Sequence, residues 1–433
     1  MEAYMHEKVS GRAAPGQYKA LQRKSGTKEA AATTNSAFQT AVILAKTISG
    51  TGNFALPYAF LSMGLIGGFF TIIGAALLTG WTMILMQQVK NSRYVAERNL
   101  PNETYVDIAY AGFGDYGAMF VYFVTIFCLE GCCAVYLNFV ASTAHSLYPS
   151  IPQDWYLLLT LCFAVSMTMI NSMRFLKYLS GLGIVAVTFT ILCVMWYSAI
   201  NFQFDELRTY PTFNPSTYFQ SFGSIAFFFC VNVNVLPIER EMGDRSLWSY
   251  VVMWTCASIA ILNILYGGFV YMLLRENTCG NVVMNLTSNS ATPEWLVVLP
   301  KMTMILELVV SYPLILYAAV DIVQRTIGQR FGNSTLNRNI VTFTMASLPA
   351  VFAQINSFSI LVNLVGGFGA ALSAYCFPPL LFLKVCRKEF ETSHGKLISC
   401  ALLAIAGFAM SCMTTGYALN AIWYPNEEPA FCR

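Results

Sequence analysis

Charged residues are scarce in this sequence: they make up 11% of its 433 residues, against about 25% in ordinary soluble domains. Histidine is scarcer still, with only three residues placed far apart along the chain. The net charge of +3 is too small to indicate a nucleic-acid partner. No phosphate-binding loop, no Cys/His spacing typical of a metal site and no nucleophile beside a partner base occurs in the sequence. The sequence therefore predicts neither an enzyme nor a protein with a cofactor or resident metal.

Hydrophobic residues are abundant, at 56% of the chain with a mean hydropathy of +0.55. Apolar runs of about 20 residues, the length that crosses a bilayer as a helix, recur along the chain. We therefore expect an all-α polytopic membrane protein with eleven transmembrane helices. We number them spans 1 to 11, at residues 37–63, 65–89, 117–147, 155–172, 176–199, 216–236, 248–273, 295–322, 339–354, 357–383 and 397–421.

Basic residues are distributed unequally between the two sides of the membrane that these spans define. With the N-terminus inside, 20 of the 25 Lys and Arg residues fall on the inner side and four on the outer side, while Lys46 lies within span 1. Cytoplasmic segments retain basic residues during insertion. The sequence therefore predicts a cytoplasmic N-terminus and an extracellular or lumenal C-terminus.

The spans divide the chain into a tail, two halves and a last helix. Residues 1–36 are polar without apolar periodicity, which predicts a disordered cytoplasmic tail without the apolar core of a signal peptide. Two sets of five spans follow, and span 11 stands outside them. The predicted divisions are a first repeat at 37–199, an outer loop at 200–215, a second repeat at 216–383, an inner loop at 384–396, span 11 at 397–421 and an outer tail at 422–433.

The outer segments carry two features of exported proteins. Asn285-Leu286-Thr287 is a glycosylation acceptor pattern on the predicted outer side. Cys279 and Cys432 are the two cysteines on that side, and they could form a disulfide between the outer loop and the C-terminal tail. Cysteine pairing does not follow from sequence alone, so this bridge stays one possibility.

Span 1 contains a segment that is poorly suited to a continuous helix. It reads Ser49-Gly50-Thr51-Gly52-Asn53 and is followed by Pro57. Lipid cannot satisfy the backbone groups of an unwound turn, so a break here must line a cavity and meet something polar. The alternative is that the glycines only permit close helix packing. Consecutive residues cannot share one helix face, which favours the break.

Span 6 repeats this pattern with Asn232-Val233-Asn234-Val235-Leu236-Pro237. Both segments end in Leu-Pro preceded by Asn, and they open the first and second sets of five spans. Interrupted spans at corresponding positions of two halves indicate a transporter built from inverted repeats. A simple kink in span 6 is the alternative.

Several stretches together resemble the amino acid/auxin permease family, and within it the proton-coupled and vacuolar amino acid transporters. The resemblance covers nearly the whole chain after residue 36 and implies a leucine-transporter-like 5+5 inverted-repeat fold. It also implies a substrate site between spans 1, 3, 6, 8 and 10, and symport into the cytosol. The stretches are Lys46–Phe60, Cys132-Cys133-Ala134-Val135-Tyr136-Leu137, Val235-Leu236-Pro237-Ile238-Glu239 and Ser311-Tyr312-Pro313-Leu314.

An amino acid is a zwitterion, so its site must offer donors to a carboxylate and acceptors to an ammonium group. N–H groups at the start of the outer half-helix favour the anion, and carbonyls at the end of the inner half-helix accept from the cation. The family resemblance assigns the same roles to the two breaks. The predicted substrate-binding residues are Thr47, Ile48, Ser49, Gly50, Thr51, Gly52, Cys132, Tyr136, Phe228, Phe229, Cys230, Asn232 and Tyr312.

Three ionisable residues lie well inside predicted spans, namely Lys46, Glu130 and Glu307. Such residues are costly in a bilayer and are candidates for function. Either carboxylate could carry a coupled proton, with Lys46 as its counter-charge; a structural ion pair is the alternative. Sodium coupling stays open, because Thr47 and Ser311 could supply oxygen ligands.

The sequence therefore predicts a secondary active amino acid transporter, most simply a proton symporter working toward the cytosol. Its membrane is the plasma membrane or that of a lysosome or vacuole. The competing hypothesis is an amino-acid sensor that recruits a cytosolic partner through residues 1–36. A channel is disfavoured, because no ring of like charges or filter sequence occurs.

Overall fold

The computed structural model describes residues 35–97, 104–169, 183–201, 210–290, 292–331, 335–355, 357–386, 394–424 and 432. Within these ranges the chain is helical, and the one pairing of strand type is an isolated bridge between Asn35 and Met242. The all-α prediction is confirmed. The predicted tail, apart from Asn35 and Ser36, and most of the predicted loop 384–396 and tail 422–433 lie outside the described residues.

Spans 1 and 6 are each interrupted, as the sequence predicts. Span 1 consists of helix Ala37–Ile48, a 3₁₀ turn Thr51–Ala55 and helix Leu56–Met63. Span 6 consists of helix Phe219–Phe228, a 3₁₀ turn Asn232–Asn234 and helix Val235–Glu241.

The other predicted spans also contain helices, with shifted ends. Their bounds are Leu65–Lys90 for span 2, Tyr105–Leu147 for span 3, Gln153–Met169 for span 4, Gly183–Asn201 for span 5, Trp248–Leu274 for span 7, Glu294–Phe331 for span 8, Thr335–Ser347 with Pro349–Ala353 for span 9, and His394–Trp423 for span 11. Span 10 runs from Phe358–Leu364 through two π-helical stretches, Val365–Ala370 and Leu372–Cys376, to Phe377–Val385.

Eight helices in the described ranges are long and apolar enough to cross a membrane. Spans 1, 4 and 9 supply the shorter helices Ala37–Ile48, Gln153–Met169 and Thr335–Ser347. The number eleven therefore stays a prediction.

Span 3 starts twelve residues earlier than its apolar run. Thr104 begins the helix by a reciprocal capping pair with Asp107, and the helix bends at Gly114, whose φ of 73° is outside the helical range. Residues 105–113 form a short helix before this bend. Their mixed polarity explains why hydropathy alone misses them.

Two large hydrophobic clusters form the interior. One joins spans 1, 2, 6 and 7, with residues of spans 3, 10 and 11, through side chains such as Leu44, Met86 and Trp248. The other joins spans 3, 4, 5, 8 and 9, with residues of spans 1, 6, 7 and 10, through side chains such as Val140 and Leu308. The interrupted segments of spans 1 and 6 lie between these two clusters, which positions the site described next.

Candidate functional site

The break in span 1 is held in place by one asparagine. Helix Ala37–Ile48 ends where Ser49 becomes extended, and the backbone at Gly50 is not helical. The Gly50 N–H donates to the side-chain oxygen of Asn53 at 3.1 Å, and the Asn53 amide donates to Asn263 of span 7 at 2.9 Å. This bond pair satisfies part of the exposed backbone and fixes the turn to span 7.

The break in span 6 is anchored in the same way to other helices. Asn232 is fully buried, and its amide donates to the Thr82 hydroxyl of span 2 at 3.0 Å and to the Ala374 carbonyl of span 10 at 3.2 Å. Residues 229–231 bridge the two helical parts by short turns. Span 6 is therefore interrupted at a position level with the turn of span 1.

The two breaks touch each other at Gly52. A Cβ atom at this position would lie 3.0 Å from the Phe228 Cα, so only glycine lets the two backbones approach this closely. A Cβ atom at Gly50 would have only the Tyr136 hydroxyl nearby, at 3.7 Å. Of the two glycines in the motif, Gly52 is the one that the packing requires.

A cavity of about 280 Å³ lies against both breaks, and we call it the central cavity. Its volume is close to the lower end of the about 300–1,000 Å³ typical of ligand sites, which suits a small molecule. Its walls come from spans 1, 3, 5, 6 and 8. The lining residues are Lys46, Thr47, Ile48, Ser49, Gly50, Thr51, Gly52, Cys128, Leu129, Cys132, Tyr136, Gly183, Phe227, Phe228, Cys230, Val233, Asn234, Glu307, Ser311, Leu314 and Ile315.

Thr51 contributes a buried, unpaired hydroxyl to the turn of span 1. Its side chain lines the central cavity, is 1% exposed to bulk solvent, and its hydroxyl has no hydrogen-bond partner among the described residues. The first N–H groups of a helix also lack intrahelical partners, and Thr51 and Gly52 begin the 3₁₀ turn. Donors therefore converge on one end of the cavity.

Charged groups occupy another part of the wall. Lys46 and Glu307 both line the cavity and interact electrostatically across it. The Ser311 hydroxyl donates to Glu307 Oε1 at 2.7 Å. A Cβ at Gly183 would lie 2.5 Å from that same oxygen, so span 5 makes room for the carboxylate by having glycine there. The predicted sodium ligands Thr47 and Ser311 both line the cavity too.

Glu130 is set apart from this group. It lies on span 3, is 2% exposed and does not line the central cavity. Neither of its carboxyl oxygens has a hydrogen-bond partner in the described part of the chain. The three predicted ionisable residues are therefore one electrostatically interacting pair, Lys46 and Glu307, and one separate buried carboxyl group, Glu130.

Three of the predicted substrate contacts, Asn232, Tyr312 and Phe229, are not among the residues that line the central cavity. Asn232 uses its amide for the anchors described above. The Tyr312 hydroxyl donates to the Ala346 carbonyl of span 9 at 2.8 Å. Phe229 is buried against Phe228, and its carbonyl accepts from the Val231 N–H at 2.8 Å. The Asn232 amide N–H, the Tyr312 hydroxyl and the Phe229 carbonyl therefore bond to protein groups, while the Asn232 side-chain oxygen has no partner among the described residues.

The outer loop contains the cysteine of the possible disulfide and the asparagine of the glycosylation pattern. Cys279 and Cys432 are joined by a disulfide with their Cα atoms 5.3 Å apart. Asn285 is 6% exposed; its side chain accepts from the Cys279 N–H and donates to the Asn277 carbonyl. This geometry speaks against glycosylation of Asn285, because a glycan needs an asparagine side chain that reaches solvent.

Sequence reasoning missed several lining residues that share a helix face with predicted ones. Cys128 lies one turn before Cys132 on span 3, and Ile315 lies one turn after Ser311 on span 8. Residues four apart are neighbours on a helix, so extending each predicted contact by one turn would have found both. Gly183, on span 5, had no such signal.

A second cavity, of about 150 Å³, adjoins the central cavity, with which it shares Leu129, Val233 and Asn234. It extends to Arg240 on span 6 and Asp321 on span 8. The central cavity therefore continues toward the end of the bundle that carries these two charged residues.

Similar proteins are consistent with this architecture. The chain is 25% identical over 395 residues to the amino acid transporter AVT1C of Arabidopsis thaliana, covering 87% of this chain and 68% of that protein. It is 23% identical over 422 residues to the vesicular GABA transporter of Caenorhabditis elegans, covering 89% and 81%. A manganese transporter of Eremococcus coleocola has the same fold, with a TM-score of 0.55 at 12% identity over 90% of this chain and 87% of that one.

The resemblance and the fold inferred from the sequence are thereby confirmed. Residues 33–422 match the family described as transmembrane amino acid transporter protein, which covers every helix of the bundle except the last residue of span 11. Members of this family are transporters and not enzymes. The chain belongs to the transmembrane amino acid transporter family.

Proposed function

We propose that this protein is a proton-coupled symporter that moves small neutral amino acids toward the cytosol by alternating access. One observation carries the proposal: a small cavity lies where two interrupted helices meet, with unpaired donors at one end and charged groups on its wall. Interrupted helices supply main-chain groups to a substrate at the membrane midplane. The N-terminus is cytoplasmic in this proposal, as the distribution of Lys and Arg favours.

The substrate carboxylate binds at the start of the outer half of span 1. The Thr51 hydroxyl and the N–H groups of Thr51 and Gly52 are its donors. Helix N-termini favour anions, and a buried hydroxyl without a partner costs free energy until a ligand pairs with it. The carboxylate therefore supplies the acceptor that the protein itself does not give to Thr51.

The substrate ammonium binds at the opposite edge of the same break. The last carbonyls of helix Ala37–Ile48, near Thr47 and Ile48, lack intrahelical partners and border the cavity. Phe228 closes this edge from span 6, and Glu307 supplies a negative charge on the wall. The zwitterion is thus matched at both ends.

The side-chain end of the cavity is narrow. Cys132, Tyr136 and Cys230 line it, and none of them carries a charge that would pair with an ionic side chain. The central cavity has a volume of about 280 Å³. Once the amino and carboxylate groups of the substrate occupy part of it, the remaining space fits a short side chain. These properties favour small neutral amino acids over large or charged ones.

The coupled proton resides on Glu130. Lys46 and Glu307 form the charged pair whose interaction changes when Glu130 gains or loses this proton. A buried carboxyl group without hydrogen-bond partners is stable in its neutral form, so Glu130 holds a proton in this conformation. Release requires that span 3 bring Glu130 to water or to a cation. Sodium coupling through Thr47 and Ser311 is the alternative that the experiment below addresses.

Alternating access in this proposal takes place around the two interrupted helices. The central cavity lies where the interruptions of spans 1 and 6 meet spans 3, 5 and 8. Relative rocking of the two repeats about these interruptions would expose the cavity to each side in turn. Relatives named as vacuolar and vesicular transporters favour an acidic internal compartment as the source of the proton.

Uptake of labelled amino acids into proteoliposomes tests the proposal. An imposed pH gradient, acidic on the side from which substrate is taken up, should drive accumulation, and a sodium gradient alone should not. Glu130→Gln keeps the neutral shape of the group, so exchange of labelled for unlabelled substrate should persist while pH-driven accumulation is lost. Asp115→Asn, an exposed carboxylate on the same helix, is the matched control.

Two outcomes would contradict the proposal. Accumulation driven by sodium at equal pH would replace the proton with sodium. A Glu130→Gln protein with the full response to the pH gradient would remove Glu130 from coupling and leave Glu307 as the carboxylate to test.

A further inference from the structure

Two cysteine thiols on different helices meet at the wall of the central cavity. Cys128 belongs to span 3 and Cys230 to the break in span 6, and their sulfur atoms are 3.9 Å apart. Both line the cavity. Nothing in the proposed transport mechanism requires two thiols in contact, so this pair calls for an explanation of its own.

The surrounding structure holds the sulfur atoms in place. A Cβ at Gly369 of span 10 would lie 2.5 Å from the Cys128 Sγ, so the space for this sulfur exists only because residue 369 is glycine. The Ser373 hydroxyl lies 3.9 Å from the same Sγ. Cys128 is thus enclosed by span 10 on one side and faces Cys230 on the other.

The two thiols differ in access. Cys230 is half-buried, whereas Cys128 is 1% exposed. The second cavity adjoins the central one at Leu129, Val233 and Asn234, and its lining also includes the exposed residues Pro237 and Arg240. A small oxidant that entered through these two cavities would reach Cys230 and find Cys128 next to it.

We propose that Cys128 and Cys230 form a reversible redox-modification site, at which a peroxide converts the two thiols into a disulfide that joins span 3 to span 6. The Cys230 thiolate attacks the peroxide, the O–O bond breaks, and sulfenic acid and water form. The Cys128 thiolate then attacks the Cys230 sulfur, the S–O bond breaks, and a second water leaves. In total the thiols lose two electrons and two protons, and hydrogen peroxide is reduced to two molecules of water.

The disulfide would stop transport by a mechanical effect. Cys128 lies on span 3 and Cys230 lies in the interruption of span 6, so the bond would cross-link two spans that both line the central cavity. A covalent bond between them prevents the relative motion on which alternating access depends. This consequence rests on the proposed transport function, whereas formation of the bond does not.

The bond is tested on purified full-length protein treated with hydrogen peroxide. Mass spectrometry of non-reduced digests should detect a Cys128–Cys230 peptide that disappears on treatment with a thiol reductant. The Cys279–Cys432 disulfide serves as the internal standard for recovery of bridged peptides. Cys128→Ser and Cys230→Ser should each abolish the new peptide, while Cys193→Ser, in span 5, should leave it unchanged.

Transport is measured on the same samples, each compared with its own rate before oxidation. We expect peroxide to lower uptake at least tenfold in the unmodified protein and in Cys193→Ser, and a thiol reductant to restore it. In Cys128→Ser and Cys230→Ser, peroxide should lower uptake less than twofold. The proposal is overturned if no Cys128–Cys230 peptide forms, or if Cys128 pairs with Cys132 instead. It is also overturned if the bridged protein transports at the full rate. If no preparation transports any amino acid, the proposed function fails while the peptide analysis still decides whether the bond forms.

Discussion

The breaks in spans 1 and 6 look alike in sequence but serve different purposes in the fold. Each precedes a Leu-Pro pair and contains an asparagine that ties the turn to neighbouring helices. In span 1 the hydroxyl of Thr51, which lines the central cavity, has no hydrogen-bond partner among the described residues. In span 6 the amide of Asn232 is directed away from the cavity into bonds with spans 2 and 10.

The difference lies in which unpaired group a ligand can reach. The Thr51 hydroxyl belongs to a residue that lines the central cavity, whereas the Asn232 side-chain oxygen, which also has no hydrogen-bond partner among the described residues, belongs to a residue outside its lining. Polar groups buried without partners are costly, so a protein keeps them where a ligand completes them. The turn in span 1 fits this description. The turn in span 6 shapes the cavity and its position relative to span 10, and it contributes mainly wall residues such as Cys230 and Asn234.

The largest effect is expected at the contact between the two breaks. Gly52→Val places a side chain against the Phe228 backbone, which a Cβ already approaches to 3.0 Å. Displacement of the two turns by about 1 Å should lower transport by about 100-fold. Gly50→Ala, whose Cβ would meet only the Tyr136 hydroxyl at 3.7 Å, should retain most of it. Uptake normalised to the amount of protein in the vesicles measures both, and equal losses would contradict the assignment.

Asn232→Ala separates the anchoring function of span 6 from substrate binding. The substitution leaves the Thr82 hydroxyl and the Ala374 carbonyl without their donor. We expect the free energy of unfolding to fall by about 1–3 kcal/mol, seen as a lower Tm in detergent. Asn234→Ala is the matched control, because Asn234 is half-buried on the cavity wall. A variant Asn232→Ala with unchanged Tm and a raised KM would return Asn232 to the substrate site.

The sequence predicted the family, the all-helical fold and both interruptions because these depend on local signals. Gly50, Gly52 and Pro57 disfavour a continuous helix wherever they occur, and apolar length shows what crosses a membrane. The direction in which a polar side chain points depends on its tertiary partners. Thr82 and Ala374, the hydrogen-bond partners of Asn232, lie far from it in the sequence. The anchoring role of Asn232 could therefore be seen only in the structure.

Residues outside the apolar runs were predicted less well for the same reason. The start of span 3 is set by the capping pair of Thr104 and Asp107 and by the bend at Gly114, features that hydropathy does not register. Asn285 matches a glycosylation pattern, but the fold of the outer loop buries it. A motif gives the identity of a residue without its accessibility.

Thr51→Val tests whether the turn in span 1 holds the substrate. Valine keeps the shape of threonine and removes the hydroxyl, which has no partner among the described residues, so Tm should change little. A hydrogen bond to a charged group contributes about 1.5–3 kcal/mol, so KM should rise about tenfold or more. Thr143→Val, at another buried hydroxyl without a partner but away from the cavity, should leave KM unchanged. An equal KM for both variants would remove Thr51 from the site.

Tyr312→Phe and Tyr136→Phe compare a tyrosine outside the lining of the central cavity with one that lines it. Tyr312→Phe should have the smallest effect on transport of the variants considered. Tyr312 loses its bond to the Ala346 carbonyl, which links spans 8 and 9, at a cost of about 0.5–1.5 kcal/mol in unfolding free energy. Its KM should not change, because the ring lies behind the cavity. Tyr136→Phe should show the opposite pattern, with a raised KM and little change in Tm, because Tyr136 lines the cavity beside Gly50. If instead KM rises for Tyr312→Phe at constant Tm, the hydroxyl reaches the substrate in another conformation of the transport cycle, and the wall seen here belongs to one conformation only.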